Sequence, residues 1–390
     1  MKVEYLLSKN FKGFVLLFLI LGFPRVYGTE VPACILLLPF YGKRILNFLL
    51  LDFKIVFSLI VLSVFWIGLG FFSWSLGGGV SKDIFFHFFI LAKILLNFVF
   101  GYIVYVAIKD SMKPLVCWVL VQSIIVILSV FYKSFYLFLL GFISPRSADT
   151  FQNIFGLRAL GFGLYHLDGA FLFSTAVFIC LVFSKFNYVS RFLLLASMFV
   201  AMLMARSAVI PYAIYSLFSS KAKVRYLFIA LVNIIFLYIV FLSEYFSFGV
   251  LYESLELFRN VVVDKKLETD STSRLFEMFL FPDNLKTFLI GDGQYFGSMQ
   301  TDFYKNIDVG YLRILYFSGL GAVFLYLVLN SFFIIFSLYY KNISIFYISF
   351  LMLFVFLILN IKGIQSMPLF AFSLYVRCFY MNRLLKGKVL

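Results

Sequence analysis

The sequence predicts an all-α protein that crosses a membrane many times. Of its 390 residues, 63% are hydrophobic and only 13% are charged, whereas soluble domains are about half apolar and a quarter charged. Long apolar runs recur along the chain, and a helix of about 20 such residues crosses a bilayer. The runs add up to about 12 spans, with 10 as the lower bound. This pattern excludes a soluble enzyme that carries a single membrane anchor.

Nine clear apolar runs and three shorter ones make up this count. The clear runs cover residues 55–72, 84–108, 115–131, 170–183, 192–205, 226–242, 320–339, 343–359 and 368–380. The shorter runs, residues 14–23, 31–41 and 208–218, are also compatible with re-entrant or interfacial segments. The first short run resembles a signal peptide but lacks a small-residue cleavage site, so we expect a retained anchor.

The distribution of charge predicts the topology. Residues 244–308 contain 11 acidic and 6 basic side chains, which leaves 7 acidic and 27 basic side chains for the rest of the chain. Lys and Arg accumulate in loops that stay in the cytoplasm, whereas a long translocated loop escapes this bias. Twelve spans with both termini in the cytoplasm place six basic clusters inside, at residues 43–54, 109–113, 185–191, 221–225, 341 and 383–388.

This topology divides the chain into three parts. Residues 1–243 contain the first nine helices and a smaller outer loop at 132–168, residues 244–308 form a large outer loop, and residues 309–390 contain the last three helices. The large loop is rich in aromatic and branched side chains, which predicts a folded segment. Within it, residues 274–281 predict two turns of helix, and Gly291-Asp292-Gly293 predicts a turn.

Several classes of site are not indicated. The net charge of +15 comes without a basic stripe or a nucleic-acid motif, so no nucleic acid is expected as a partner. The four cysteines are scattered singly through apolar runs, which predicts neither a disulfide framework nor a zinc site. Glu268 and Asp270 are too weak a pattern for a metal, so we expect a metal-independent site.

Arginine is the residue type that stands out on the predicted outer side, which the charge rule depletes. Arg158 and Arg206 lie at the ends of apolar segments, where a guanidinium is costly unless it is paired or functional. Arg274 lies in the large loop, and Arg313 lies at the mouth of the next span. A planar charged fork suits a diphosphate. These four are candidate diphosphate ligands, and snorkelling to lipid headgroups is the alternative for each.

Asp308 is the first candidate for a general base. It ends the large loop at the entrance to a span, and Tyr311 follows on the same helical face. A carboxylate there can take a proton from a sugar hydroxyl, and a helix N-cap is the structural alternative. His166, Glu277 and Asp292 are further candidates.

Two other features have simpler interpretations. His87 stands among phenylalanines with no nearby partner and is interpreted as an interfacial residue. The Gly291-Asp292-Gly293 turn lacks the βαβ context or the lysine of a nucleotide loop. It is either a plain turn or a backbone nest near an anion, which makes Gly291 and Gly293 candidate binding residues.

Short motifs in order along most of the chain carry a family resemblance. Residues 273–277 (SRLFE), 289–293 (LIGDG) and 308–313 (DVGYLR), followed by Gly319-Leu320-Gly321, resemble the second large periplasmic loop of the bacterial O-antigen polymerase and ligase superfamily. Arg158 with its following glycines resembles that family's first-loop arginine motif. The Ala205-Arg206-Ser207 sequence resembles its membrane-edge Ser-Arg motif, with the two residues in reverse order.

The resemblance implies a GT-C-like fold and an inverting glycosyltransferase of the bacterial inner membrane. Such an enzyme joins undecaprenyl-diphosphate-linked oligosaccharide units on the outer face, without a cofactor, into O-antigen or capsular polysaccharide. Arginines would hold the leaving diphosphate, and an acid or base would activate the acceptor hydroxyl. Implied partners are the lipid-linked oligosaccharide, a chain-length regulator and a flippase.

Two other functions remain open at this point. In the ligase branch of the family a histidine stands where this sequence has Asp308, which favours a polymerase over a ligase. A flippase or other transporter of lipid-linked oligosaccharide needs charged residues lining a cavity through the membrane and no large folded outer loop. Here the predicted spans are nearly free of charge and the outer loop is large.

Overall fold

The part of the chain that the structure describes is all-helical, with several helices that are long and apolar enough to span a membrane. The computed structural model describes residues 2–183, 197, 199–205, 208–217, 249, 256, 260, 265, 275, 277–297, 302–339, 343–367 and 369–385. Within these ranges seven helical stretches meet the length and hydropathy of a span: Ala33–Leu51, Phe53–Gly77, Ser81–Ile108, Lys113–Phe131, His166–Phe183, Gly310–Ile334 and Ile345–Lys362. Leu369–Met381 is a shorter apolar helix.

The helices of the described residues are numbered here in chain order. They are α1 (Lys2–Ile20), α2 (Leu38–Leu51), α3 (Phe53–Gly77), α4 (Ser81–Ile108), α5 (Lys113–Phe131), α6 (Lys133–Leu140), α7 (Pro145–Gln152), α8 (His166–Phe183), α9 (Val209–Leu217), α10 (Leu285–Leu289), α11 (Gly310–Tyr339), α12 (Ile343–Leu359) and α13 (Leu369–Leu385). Short 3-10 turns occur at Ala33–Leu37, Tyr304–Asn306 and Asn360–Lys362.

The helix bounds differ from the apolar runs at three places. Helix α1 begins at Lys2, before the apolar run that starts at residue 14. Helix α2 continues past Tyr41 to Leu51, because Lys43 and Arg44 are exposed on its surface and do not interrupt it. Helix α11 begins at Gly310, ahead of the run that starts at residue 320. The run at 226–242 lies outside the described residues, and the count of 12 spans stays a prediction.

The chain divides into two compact units. The first consists of residues 1–42 and 103–269, and the second of residues 43–102 and 270–390. The second unit therefore joins most of α2, all of α3 and most of α4 to the C-terminal part of the chain. The division into 1–243, 244–308 and 309–390 follows membrane topology instead, and it stays a prediction.

Helix α5 is central to the described part of the first unit, where it packs against α1, α6 and α8. Its polar side chains hold the segment that follows Arg158. The Gln122 side chain accepts from Phe162 N at 3.0 Å and donates to Phe162 O at 3.3 Å. The Ser129 hydroxyl accepts from Leu160 N at 2.9 Å. Buried polar groups on a helix are thus matched to the backbone of a non-helical segment.

Helix α11 is central to the described part of the second unit, where it packs against α3, α10, α12 and α13. Trp66 of α3 and Phe317 and Tyr326 of α11 are fully buried in this core. Asparagine side chains complete the connection between α12 and α13. Asn360 Oδ1 accepts from Gln365 N at 2.9 Å. Helix α11 contributes in the same way, because Asn330 Oδ1 accepts from Met367 N at 3.0 Å.

Candidate functional site

The candidate site lies in the second unit, where α11 is broken near its beginning. Ser318 and Gly319 have non-helical backbone angles, and φ of Gly319 is +72°. Carbonyl groups that precede such a break lose their helical donors and need other partners. Tyr316 O accepts from Asp292 N at 2.6 Å, and Phe317 O accepts from Gly293 N at 3.1 Å. The Gly291-Asp292-Gly293 turn therefore completes the hydrogen bonding of a broken span.

Glycine is required on both sides of this contact. Gly291 has φ +89°, and a Cβ atom there would lie 2.3 Å from Phe317 O. A Cβ atom on Gly319 would lie 2.1 Å from Leu289 O. These distances are far shorter than a carbon–oxygen contact allows, so two stretches of backbone meet here without side chains between them.

The end of α3 approaches the same turn from the other side. A Cβ atom on Gly77 would lie 2.0 Å from Asp292 O, and one on Gly79 would lie 1.9 Å from Gly293 O. The Ser73 hydroxyl donates to Ile290 O at 2.6 Å. The turn is thus held between α3 and the break in α11.

The N–H groups of the turn are all in use. Gly291 N donates to Thr287 O at 3.0 Å, and the N–H groups of Asp292 and Gly293 donate to the two carbonyls of α11. A backbone nest binds an anion with N–H groups that point into a common space. An anion bound by Gly291 and Gly293 would have to displace these three bonds, so we assign the turn a structural role.

The carboxylate of Asp292 is held by two hydroxyl groups. Thr287 Oγ1 donates to one carboxylate oxygen at 2.6 Å, and the Tyr304 OH donates to the other at 3.2 Å. Burial and the neighbouring Asp292 charge raise the pKa of Tyr304, so the phenol stays protonated and remains a donor. Asp292 therefore links the turn to the residues that precede α11.

Asp308 and Arg313 form an ion pair at the beginning of α11. Arg313 Nη1 lies 3.4 Å from Asp308 Oδ1. The Asp308 side chain is 47% exposed and that of Arg313 is 7% exposed, so one member is accessible and the other is buried. Partial burial raises the pKa of Asp308 above that of an ordinary carboxyl, although the Arg313 charge acts in the opposite direction. Among the described residues, the Asp308 carboxylate is bonded to the Arg313 side chain and not to a backbone N–H of the first turn of α11. It therefore does not act as the N-cap of that helix.

Two aromatic rings enclose the guanidinium of Arg313. Its Cζ lies 3.5 Å from the centroid of Phe303 and 5.3 Å from that of Phe86. A cation over a ring face is attracted by the ring quadrupole. The rings hold the guanidinium in one place, so its charge is fixed beside Asp308. The sequence placed both charges at the entrance to a span, and the structure brings them together.

Tyr311 does not approach Asp308 through a hydrogen bond. Its OH donates to Leu357 O at 2.8 Å, which ties the beginning of α11 to the end of α12. Helix α11 begins at Gly310, so Asp308 lies before the helix and not within it. The shared helical face that the sequence suggested for these two residues is therefore absent, and Tyr311 has a packing role.

His87 is buried and fully bonded, so its interpretation as an interfacial residue without a partner is wrong. Its ring is stacked on Trp66 with centroids 4.2 Å apart and is 0% exposed. Nε2 lies 2.9 Å from Trp66 O, which requires the proton on that nitrogen. Nδ1 then accepts from the Tyr295 OH at 3.1 Å. Both ring nitrogens are used, which gives His87 a positioning role.

Asp83 is a residue of this region that the sequence analysis did not identify. Its carboxylate accepts from Tyr295 N at 2.8 Å, from Phe296 N at 3.0 Å and from Val80 N at 3.0 Å. Asp83 and His87 lie one helical turn apart on α4, and both bind Tyr295. The first turns of α4 therefore fix the segment that follows the glycine turn.

The other candidates belong to the first unit, are exposed in the second unit, or lie outside the described residues. Arg158 belongs to the first unit, as does His166, which is exposed and contacts the ring of Phe151 at 6.1 Å between centroids. Glu277 belongs to the second unit and is exposed. Arg206 and Arg274 lie outside the described residues, and their roles stay predictions. Within the described ranges no three or more His, Cys, Asp or Glu side chains are placed to share a metal ion.

The arrangement combines an accessible carboxylate of raised pKa with a buried, fixed positive charge. Both are attached to a rigid frame made of the broken helix, the glycine turn and the ends of α3 and α4. Chemically, such a pair can accept a proton next to a developing negative charge.

Comparison of the chain with models of known families, with curated proteins and with solved structures found no match.

Proposed function

We propose that this protein is a polysaccharide polymerase that joins undecaprenyl-diphosphate-linked repeat units on the outer face of the bacterial inner membrane. The observation that supports it most is the Asp308–Arg313 pair, in which a half-exposed carboxylate lies at the end of a membrane span. A lipid-linked substrate presents its diphosphate at the membrane surface, which is where such a pair can act. Twelve spans, a GT-C-like fold and an outward-facing region 244–308 belong to the same proposal.

The proposed reaction is a direct displacement with inversion. The hydroxyl oxygen of the acceptor sugar attacks the anomeric carbon of the donor, and the bond from that carbon to the diphosphate oxygen breaks. Asp308 accepts the proton of the hydroxyl, and the electron pair of the broken bond leaves with undecaprenyl diphosphate. Arginine side chains neutralise the charge that develops on the leaving group. No oxidant, reductant or cofactor is needed.

Polymerisation by the purified protein tests the proposal. The full chain in detergent or nanodiscs should convert a synthetic lipid-diphosphate repeat unit into a ladder of longer lipid-linked products. Transfer of a single unit to a lipid acceptor without a ladder would favour the ligase. Passage of the substrate across proteoliposomes without elongation would favour the transporter.

The proposed topology predicts which side of the membrane is accessible. After removal of the four native cysteines, Asp270→Cys and Lys305→Cys should react with an impermeant maleimide in intact spheroplasts. Lys109→Cys and Lys223→Cys should react only after the membrane is permeabilised. Labelling of Lys109→Cys and Lys223→Cys in intact spheroplasts would overturn the topology, because the topology was inferred from the cytoplasmic location of the basic clusters.

The candidate arginines are expected to act as forks and not as point charges. Arg158→Lys, Arg206→Lys and Arg274→Lys each keep the charge but lose bidentate geometry, so the polymerisation rate should fall roughly tenfold or more. Arg44→Lys is the matched control, since Arg44 is exposed on α2 and lies in a predicted cytoplasmic cluster. Unchanged rates in all three variants, at normal protein levels, would make the three arginines structural.

A further inference from the structure

A pocket of about 400 Å³ opens where α3 and α4 are joined. Its wall includes the connection at Gly78 and Val80, the residues Gln294 and Gly297, and the pair Tyr304 and Lys305. An isolated antiparallel bridge between Phe296 and Phe303 holds the two stretches of the wall side by side. Its volume falls in the range of small-molecule pockets, about 300–1,000 Å³. All of these residues belong to the second unit.

The accessible charge at this pocket is positive. The acidic residue in its wall, Asp83, is 1% exposed, and three backbone N–H groups donate to its carboxylate. The exposed charged residue of the wall is Lys305, whose ammonium lies 4.6 Å from the ring centroid of Tyr316. The ring beneath this ammonium fixes its position while leaving its N–H groups to other acceptors.

The backbone that carries Lys305 is unusual. Lys305 has φ +52° and the next residue, Asn306, has φ +58°. Side chains other than glycine seldom adopt this left-handed conformation, and two in succession are rarer still. Such conformations persist where the surrounding structure imposes them, and they concentrate at ligand sites. Here the conformation places the ammonium at the wall of the pocket.

The rest of the wall suits a sugar ring. The Phe296 and Tyr304 rings offer apolar surface, the Gln294 side chain offers donors and an acceptor, and the Gly297 backbone offers its carbonyl oxygen. Ligand pockets combine apolar walls with a few placed polar groups in this way. A bare inorganic anion would use Lys305 alone and leave the aromatic and amide surface without a partner.

We propose that this pocket binds a saccharide that bears a negatively charged group, with Lys305 contacting the charge and the aromatic and amide wall contacting the ring. The charged group is a phosphate or a carboxylate. The assignment of this saccharide as part of the growing glycan rests on the proposed function, whereas the binding itself does not.

Trp74 provides a built-in reporter for binding. Its indole Nε1 donates to Val80 O at 3.1 Å, so the ring is bonded to the pocket wall. The chain has two other tryptophans, Trp66 and Trp118, and both are fully buried. Glucose 1-phosphate added to the detergent-solubilised full chain should change tryptophan fluorescence in a saturable way, and Trp74→Phe should remove that change.

Three lysine variants separate pocket binding from general charge effects. Lys305→Gln should raise the Kd for glucose 1-phosphate roughly tenfold or more, because a charge-assisted contact is lost. Lys305→Arg should keep binding within about threefold, since the charge remains. Lys286→Gln removes an exposed lysine from α10, which does not line the pocket, and should leave the Kd unchanged. Equal Kd values for Lys305→Gln and Lys286→Gln would overturn the proposal.

Other probes test the two parts of the ligand. Glucose and inorganic phosphate should each bind much more weakly than glucose 1-phosphate, and equal binding by inorganic phosphate would reduce the pocket to an anion site. Nanodiscs of phosphatidylcholine and of phosphatidylglycerol should give the same Kd. Loss of binding in phosphatidylglycerol alone would assign the pocket to a lipid headgroup and overturn the proposal.

Polymerisation assays on the same samples distinguish the two proposals. A sample that binds glucose 1-phosphate but makes no polymer from the lipid-linked unit rejects the proposed function and leaves the pocket intact. A sample that polymerises but gives no saturable fluorescence change rejects the pocket.

Discussion

Replacement of Asp308 by asparagine is expected to lower the polymerisation rate by roughly 10² to 10⁴, which is the usual contribution of a general base. An amide does not accept a proton near neutral pH, whereas it caps a helix as well as a carboxylate does. The substitution therefore distinguishes proton transfer from helix capping. The structure argues against capping, because the carboxylate is bonded to the Arg313 side chain and not to a backbone N–H of the first helical turn.

Asp302→Asn is the matched control for this substitution. Asp302 is an exposed carboxylate that lies six residues upstream on the same connection. Its replacement removes the same charge from the same region and should leave the rate within about twofold of wild type. Protein levels and thermal stability should be close to wild type for both variants. Wild-type rates with Asp308→Asn would leave Asp308 a structural residue, and the base would then be sought at Glu277, Asp292 or His166.

The pH dependence of kcat/KM is a second test of whether Asp308 acts as a general base. A general base works only when it is deprotonated, so kcat/KM should rise with pH through the pKa of Asp308. Partial burial raises this pKa, so the rise should occur at a higher pH than the value of about 4 for an ordinary carboxyl. The Arg313 charge favours the carboxylate form. Its removal in Arg313→Met should therefore move the rise to still higher pH.

Local sequence was enough to locate most of the span-length apolar helices among the described residues. A span is apolar along its own length, so the runs at 55–72, 84–108 and 115–131 all fall inside helices that are long enough to cross a bilayer. The ends of the helices were harder to predict, because single charged residues such as Arg44 can lie on the surface of a helix that continues past them. Where such a helix ends depends on the surroundings of these side chains and not on the length of the apolar run.

The candidate site was predicted only in part, because its bonds join distant stretches of the chain. The glycine turn at 291–293 and the pair Asp308 and Arg313 could be identified, since turn residues and charges at a span entrance are local signals. His87 could not be interpreted correctly, because its partner Tyr295 is 208 residues away. Its five-residue neighbourhood shows only phenylalanine, which is equally typical of a lipid-facing position.

The partners of the glycine turn were also hidden from local analysis. Asp292 and Gly293 bind carbonyls that become available only because α11 is broken at Ser318 and Gly319. A glycine in a long apolar run is tolerated in many membrane helices, so it does not by itself indicate a break. Its left-handed conformation is what distinguishes Gly319, and that is a property of the folded chain.

Replacement of Gly319 by alanine is expected to destabilise the protein by roughly 3 kcal/mol or more. The left-handed backbone alone costs an alanine about 1–2 kcal/mol. Its Cβ would also lie 2.1 Å from Leu289 O, which is backbone and cannot rotate away. Separation of the two stretches would break the bonds from Asp292 N and Gly293 N, and each buried carbonyl left without a donor costs about 1–3 kcal/mol.

Gly321→Ala is the matched control, since it adds the same methyl group two residues further along the same helix. A Cβ atom on Gly321 would meet only Leu69 Cδ1, at 3.8 Å, which is an ordinary contact. Thermal unfolding of the solubilised chain, followed by size-exclusion chromatography, should show a Tm lower by roughly 5 °C or more for Gly319→Ala and unchanged for Gly321→Ala. Equal Tm values would mean that the break in α11 needs neither the left-handed glycine nor the close backbone contact, and the structural role of the 291–293 turn would lose its support.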